Sequence, residues 1–127
     1  MTHFSVLLSI YYKESPTNFT QALKSILEQT LQPTEIILIK DGTLTSELEE
    51  VIVKFQKKYP IIYSINLSTN QGLGKALNEG LRHCTYDIVA RMDTDDIALP
   101  DRFEKQVDFM ENHPEIDACS AWIDEFI

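Results

Sequence analysis

Three aspartates stand within four residues in the second half of the chain, at Asp93, Asp95 and Asp96. They directly follow an apolar segment that predicts a buried strand, and residues 93 and 95 face the same side if strand geometry continues through them. Two carboxylates on one side can bind Mg²⁺ or Mn²⁺, because these ions prefer oxygen ligands and keep waters that a diphosphate can replace. The alternative is a solvated acidic turn before a helix.

Two further charged residues stand at the ends of apolar segments. Asp41 precedes Gly42, and its carboxylate can accept a hydrogen bond from a ribose hydroxyl or a base N–H. Asp-Gly is also an ordinary turn pair, so a purely structural role stays open. Arg91 adjoins the aspartates, where it can pair with a donor phosphate, hold the carboxylates in position, or form a structural ion pair.

A glycine-containing turn over residues 70–75 predicts close backbone approach to a phosphate or a base. Its glycines are Gly72 and Gly74, and Lys75 stands in the first turn of the helix that follows. A dinucleotide-binding fingerprint is excluded, because Leu77 occupies the position that requires a third glycine. The chain also lacks a Walker A sequence, which argues against a P-loop ATPase.

The charge balance limits the function classes. A formal net charge of −9 argues against nucleic acid and against an anionic membrane surface as partners. A phosphorylated ligand remains compatible if a bound cation supplies positive charge. No apolar run approaches the roughly 18 residues that span a bilayer. No signal peptide is evident, so we expect a cytoplasmic protein that reaches the inner membrane face through partners or through a C-terminal part.

The cysteines and histidines do not form a recognisable site. Cys84 and Cys119 are isolated in the sequence, which indicates reduced thiols in a cytosolic protein rather than a disulfide or a zinc site. The three histidines are scattered, and we interpret them as surface residues. No Ser-His-Asp or Cys-His pair is indicated.

Apolar runs alternate with segments of helical period along the whole chain. The second helix is predicted to open with a Ser46-x-x-Glu49 capping box and to close at Pro60. The third helix is predicted to bury Leu73, Ala76, Leu77, Gly80 and Leu81. Strands are predicted at about 4–10, 35–39, 61–65, 86–92 and 116–126, and the other helices at about 18–30, 73–83 and 100–113.

This alternation predicts an α/β fold. Strands joined by helices must run parallel, so the fold is a doubly wound, mostly parallel sheet with helices on both faces. Ligands bind outside the carboxyl ends of such strands. The segments after the strands should therefore meet at one edge of the sheet, and these are 11–14, 41–42, 68–74 and 93–96.

Five ordered segments resemble the family 2 glycosyltransferases, whose nucleotide-binding half has the Rossmann-like GT-A fold. The resemblance covers nearly the whole chain. The sequences of the motifs are most similar to those of the amylovoran-type bacterial enzymes that build exopolysaccharide, capsule or O-antigen. Two positions depart from the family, with Ser9 where Pro is common and Lys40 where Asp is common. The matching segments are 5–14, 25–30, 35–42, 70–80 and 90–96.

The resemblance implies a role for each matching residue. Tyr11 and Glu14 would line the nucleoside pocket, and Asp41 would contact the base, most simply uracil. Gly72, Gly74 and Lys75 would border the base. Asp93 would face the ribose or the metal, and Asp95 would bind Mg²⁺ or Mn²⁺ at the diphosphate.

The resemblance also implies an activity. The parent protein would transfer a sugar from a UDP-sugar to a saccharide or lipid-linked saccharide acceptor, with inversion, in bacterial surface polysaccharide synthesis. The family's general base lies well after the Asp-x-Asp strand, so it would fall beyond Ile127. We therefore expect an N-terminal fragment that binds the donor without efficient transfer, and uncovered apolar surface on its sheet would favour a homodimer.

Two rival functions fit the sequence less well. A Mg²⁺-dependent sugar nucleotidyltransferase needs a glycine-rich, basic loop after the first strand, which residues 11–15 lack. A non-catalytic nucleotide-binding domain of the receiver type needs paired acids after that strand, where Glu14 stands alone.

Overall fold

The computed structural model describes residues 3–113, so the predicted strand at about 116–126 and Cys119 lie outside the described residues. The described chain alternates strands and helices throughout, as predicted. The elements are β1 (Ser5–Ile10), α1 (Pro16–Leu27), β2 (Glu35–Asp41), α2 (Ser46–Lys58), β3 (Ile62–Leu67), α3 (Leu73–His83), β4 (Val89–Arg91) and α4 (Arg102–Asn112).

The four strands form one parallel sheet in the order β3-β2-β1-β4. β1 is central, and its register places Ser5 beside Glu35 on one neighbour and beside Val89 on the other. All four carboxyl ends therefore reach the same edge of the sheet, which confirms the predicted parallel α/β architecture.

The larger core lies between the sheet and three helices. Alternate residues of β1 and β2 are buried against it, as the period of two requires. α1 and α2 bury one apolar stripe each, and Phe103 and Val107 of α4 complete the layer. The strand residues that face this core are Val6, Leu8, Ile10, Ile36, Leu38, Ile62 and Ala90.

The opposite face of the sheet is covered by α3, which lies very close to β1 and β2. A Cβ added at Gly80 would clash with Leu7 and lie 3.0 Å from Cγ1 of Ile39. The prediction that Leu73 and Leu81 point inward is wrong, because each is 50% exposed. Only small residues fit between helix and sheet at this distance, so Ala76 and Gly80 occupy the centre of the contact and the leucines flank it.

Several predicted boundaries differ from the structure for local reasons. α1 begins at Pro16 and ends at Leu27 rather than spanning 18–30, since the Ser15 side chain caps it by accepting from Asn18 N. α2 is capped by Thr45 rather than Ser46, because Thr45 Oγ1 accepts a hydrogen bond from Leu48 N at 3.3 Å. β2 and β3 extend two residues beyond their predicted carboxyl ends, and β4 is shorter than predicted.

β4 does not extend back to residue 86, because Thr85 N and Tyr86 N donate to side chains, although the carbonyl of Ile88 accepts from Ser5 N of β1 at 2.9 Å. At the amino edge of the sheet, the buried carboxylate of Glu35 accepts from Ser5 Oγ at 2.6 Å, from Thr85 N at 2.5 Å and from Thr85 Oγ1 at 2.9 Å. Burial acts to raise the pKa of Glu35, but these hydrogen bonds outweigh it and hold the pKa below its ordinary value. This network stabilises the α3–β4 crossover.

The neighbouring Cys84 is a free, half-buried thiol. Its burial and the negative charge of Glu35 raise its pKa to about 11, so it stays protonated at neutral pH. Among residues 3–113, no helix is both long enough and apolar enough to cross a bilayer.

Candidate functional site

A cleft of about 500 Å³ opens at the carboxyl edge of the sheet. The segments that follow all four strands contribute to it, as the topology predicts. Asp41, Asp93 and Asp95, which we expected to converge, all line this cleft. The full lining is Ser9, Tyr11, Lys13, Glu14, Asp41, Asn70, Gly72, Leu73, Asp93, Thr94 and Asp95.

The acidic cluster lies on the loop that leaves β4. Met92 N donates to the carbonyl of Leu7 at 3.0 Å, which carries the chain one residue past the strand, and Asp96 N then donates to the carbonyl of Asp93 at 3.2 Å. Asp93, Asp95 and Asp96 are exposed, and a carboxylate oxygen from each lies within 4.8 Å of the others.

This donor set suits a hard divalent cation. Three carboxylates at such spacing repel one another, and a cation relieves that repulsion. Oxygen-only ligands favour Mg²⁺ or Mn²⁺ over zinc, and the exposure of the group leaves room for water or phosphate oxygens. The structure thus brings together the two predicted metal ligands, Asp93 and Asp95, and adds Asp96 beside them.

Thr94 is a residue of this site that the sequence reasoning missed. It is 7% exposed and lies between two exposed aspartates. Its hydroxyl donates a hydrogen bond to Oε1 of Glu14, whose Oε2 accepts from Ser15 N at 3.0 Å. The expected alternation of residues 93 to 95 required the strand to continue, whereas β4 ends at Arg91 and a turn follows. The sequence pattern gives no signal that Thr94 meets the β1–α1 loop.

Asp41 is buried at the floor of the cleft, with 4% of its surface exposed. One carboxylate oxygen accepts from Gln71 N at 2.7 Å and the other from Gly72 N at 3.1 Å. The turn that follows β3 is therefore held directly by the end of β2. Both interpretations of Asp41 fit this geometry, because the carboxylate organises a turn and also lines the cleft.

Position 42, directly after Asp41, requires a glycine. Its φ of +89° is in the region that favours glycine, and a Cβ there would lie 2.9 Å from Asn70 N. The two turns therefore touch backbone to backbone next to the buried Asp41 carboxylate.

The remaining predicted donor-binding residues divide into two groups. Tyr11 is 45% exposed, lines the cleft and meets Tyr12 edge to face at 5.9 Å. Gly74, Lys75 and Arg91 are exposed but are not among the residues that line the cleft. Arg91 instead pairs with Asp93 at 3.8 Å, which supports its interpretation as an ion-pair partner of the acidic cluster.

The two departures from the family pattern have different positions. The ammonium group of Lys40 lies 2.8 Å from Oε1 of Glu49 on α2, so it is directed towards a helix rather than the cleft. Ser9 lines the cleft itself. The departure at Ser9 therefore affects the shape of the pocket, and the one at Lys40 does not.

The charge of the cleft is unfavourable for a bare anion. Four lining carboxylates face one lysine, Lys13. The amino end of α3, which begins at Leu73 beside the cleft, offers partial positive charge from its first amides. That partial charge does not offset four carboxylates, so a diphosphate in this cleft requires a cation.

Comparison with known proteins identifies the family. The model of Glycosyl transferase family 2 matches residues 5–127. The amylovoran biosynthesis glycosyltransferase AmsE of Erwinia amylovora is 50% identical over 123 residues, covering 97% of this chain and 46% of AmsE. The UDP-Gal:alpha-D-GlcNAc-diphosphoundecaprenol beta-1,3-galactosyltransferase of Escherichia coli is 46% identical over 97% of this chain and 44% of that protein. The chain thus spans about half the length of these relatives.

Solved structures show the same fold. S. aureus TarS 1–349 in complex with UDP has a TM-score of 0.76 and 25% identity, over 89% of this chain and 33% of that one. The mannosyltransferase PcManGT of Pyrobaculum calidifontis, solved with GDP-Man and Mn²⁺, has a TM-score of 0.73 and 23% identity, over 85% of this chain and 32% of that one. These likenesses confirm the GT-A architecture and argue against a receiver-type domain.

Proposed function

Because this chain belongs to the family 2 glycosyltransferases, we propose that its cleft binds the nucleotide-diphosphate part of a sugar donor and that the whole protein transfers that sugar to an acceptor hydroxyl. The observation that carries the proposal is the convergence of Asp41, Asp93 and Asp95 on one cleft at the carboxyl edge of a parallel sheet.

The metal half of the site is the acidic cluster. Asp95 and Asp93 would hold Mg²⁺ or Mn²⁺, and the short spacing to Asp96 supports a site with oxygen ligands alone. When bound, the cation neutralises charge that develops on the leaving diphosphate. The side chains would hold the ion on the loop that leaves β4, and their exposure would leave room for diphosphate oxygens.

The nucleoside half lies across the cleft. The ring of Tyr11 is exposed at the cleft and offers a flat apolar surface to a base. Asp41 and the turn it holds at Gly72 form the polar floor. A UDP-sugar is the donor we propose, because the E. coli relative is named for UDP-Gal and TarS was solved with UDP.

The acceptor is proposed by analogy with the same relatives. The E. coli protein's name specifies a sugar on diphosphoundecaprenol, and the Erwinia protein's name specifies amylovoran biosynthesis. We propose a lipid-linked saccharide acceptor in bacterial surface polysaccharide synthesis, at the cytoplasmic face of the membrane. Inversion, a general base beyond Ile127, a homodimer, and donor contacts from Glu14, Gly74, Lys75 and Arg91 stay predictions.

The test is calorimetric titration of UDP with and without Mn²⁺. Mn²⁺ should tighten UDP binding by about tenfold or more, equivalent to about 1.4 kcal/mol. Asp95→Asn should abolish this gain, because it removes one ligand charge from the cluster. Asp87→Asn is the matched control, since Asp87 is an exposed aspartate just before the amino end of β4. Metal-dependent binding that survives in Asp95→Asn would place the metal elsewhere.

A further inference from the structure

A hydrogen bond joins the two halves of the cleft. Thr94 is the buried residue of the run 93–97, and its hydroxyl donates to Oε1 of Glu14 in the β1–α1 loop. Glu14 belongs to a turn in which its own amide donates to the carbonyl of Tyr11 at 3.1 Å. The β1–α1 loop, which carries Tyr11 of the proposed nucleoside half, is thus tied to the loop that carries the proposed metal ligands.

Both oxygens of the Glu14 carboxylate are engaged in this link. Oε1 accepts from Thr94, and Oε2 accepts from the backbone N of Ser15, the residue whose side chain caps α1. A carboxylate that accepts two hydrogen bonds in this way is fixed in orientation. Glu14 and Thr94 also line the same cleft as Asp93 and Asp95. The position of Glu14 therefore favours a function at the site over a role in packing alone.

The consequence for the aspartates follows from the backbone. Thr94 and Asp95 are the central residues of a turn that Asp96 N closes by donating to the carbonyl of Asp93 at 3.2 Å. The bond from Thr94 to Glu14 fixes this turn, and with it the two aspartates on either side of Thr94. Asp93 and Asp95 are indeed both exposed, with carboxylate oxygens within 4.8 Å of each other. Without the bond to Glu14, the turn would lose the contact that fixes it, and we expect the spacing of the two carboxylates to vary.

We infer that Glu14 is a positioning residue of the metal site, acting through Thr94 to hold Asp93 and Asp95 in a chelating arrangement. This inference rests on the proposed function, because it assumes that the aspartates bind a divalent cation. It assigns Glu14 a role that differs from the nucleoside contact implied by the family resemblance. Groups that orient metal ligands in this way typically change metal affinity by 10- to 100-fold when they are removed.

The test compares Thr94→Val with Thr94→Ser. Valine removes the hydroxyl at nearly constant volume, and serine keeps it. The Kd of Mn²⁺ is measured in the presence of UDP, by calorimetry and by the Mn²⁺ electron paramagnetic resonance signal. Thr94→Val should raise this Kd by about 10-fold or more, and Thr94→Ser should restore binding close to the unsubstituted chain. Metal-free binding of uridine should change less than Mn²⁺ binding, because Asp41 keeps its own hydrogen bonds to the turn at Gln71 and Gly72.

The matched control is Thr85→Val. Thr85 also donates its hydroxyl to a buried carboxylate, Oε1 of Glu35 at 2.9 Å, but at the opposite edge of the sheet. This variant should lose stability without any change in the Kd of Mn²⁺. A purely structural role for Thr94 would make the two valine variants behave alike.

The outcomes are distinguishable. If Thr94→Val binds Mn²⁺ like the unsubstituted chain while Asp95→Asn does not, the positioning role is wrong and the proposed function stands. If the unsubstituted chain binds neither UDP nor Mn²⁺, both are wrong. If Thr94→Val does not fold by circular dichroism, Glu14→Gln and Glu14→Ala replace it. A Kd for Mn²⁺ that is unchanged in both Glu14 variants then overturns the inference.

Discussion

Substitution of Asp41 by asparagine should release the turn that forms the floor of the cleft. The carboxylate accepts hydrogen bonds from Gln71 N at 2.7 Å and from Gly72 N at 3.1 Å. Asparagine keeps one acceptor oxygen and turns an NH₂ group towards the other backbone N–H. One bond therefore becomes a contact between two donors beside Asp41, which is 4% exposed. The NH₂ group is expected to face Gly72 N, which keeps Asn70 Oδ1 as a second acceptor at 3.2 Å.

The expected loss follows from these two bonds. A hydrogen bond to a charged group contributes about 1.5–3 kcal/mol, and a buried donor without a partner costs about 1–3 kcal/mol. The surviving bond also loses its charge. We expect Asp41→Asn to lower the free energy of unfolding by about 2–4 kcal/mol, a large part of the 5–15 kcal/mol typical of a domain.

Two measurements check this prediction. Urea denaturation followed by far-ultraviolet circular dichroism gives the free energy of unfolding. Amide hydrogen exchange gives the local effect, and the amides of Gln71 and Gly72 should lose more protection than those of β2. The control is Asp101→Asn, because Asp101 makes an exposed ion pair with Lys105 at 3.1 Å, and such pairs contribute at most about 1 kcal/mol. Equal stability of the two variants, or unchanged exchange at residues 71 and 72, would refute the reasoning.

Two further predictions concern the stability of the sheet that carries the site. Glu35→Gln should lower the free energy of unfolding by about 1.5–3 kcal/mol at pH 7. The folded pKa of Glu35 lies below its ordinary value of 4.5, so its stabilising contribution is present above that pH and is lost as the pH falls through the folded pKa. Urea denaturation at several pH values should therefore show that the free energies of unfolding of Glu35→Gln and of the unsubstituted chain become equal in acid. A difference that persists in acid would contradict the stabilising role of the ionised Glu35 carboxylate. Gly80→Ala should lower the free energy of unfolding by up to about 2 kcal/mol, because overpacking of about 1–3 kcal/mol against Leu7 and Ile39 offsets or exceeds the helix-propensity gain of about 1 kcal/mol. Gly74→Ala, whose added Cβ would meet no atom within 4 Å, should be neutral or stabilising in the same assay, and a similar gain in Gly80→Ala would show that α3 lies farther from the sheet.

Much of the architecture was predictable from local sequence pattern. The alternation of continuous apolar runs with 3.6-residue stripes predicted four strands and four helices within the described residues, and parallel pairing followed from the connections. The common edge of parallel strand ends then predicted that Asp41, Asp93 and Asp95 would meet, and they line one cleft. Boundaries were less accurate, because neighbouring residues such as Thr45 and Ser46 are equally good caps and tertiary packing selects between them.

The sequence by itself thus determined the fold class, the family and the edge of the sheet at which the site lies. The tertiary structure alone decided which polar groups meet there. Glu14 and Thr94 are 80 residues apart, and Asp41 and Gln71 are 30 apart. Periodicity reports which face of its own strand or helix a residue occupies, whereas a hydrogen bond between distant segments depends on how the crossovers pack. For that reason the sequence offers Glu14 as a candidate donor contact, whereas the folded chain hydrogen-bonds its carboxylate to Thr94 on the loop that carries the acidic cluster.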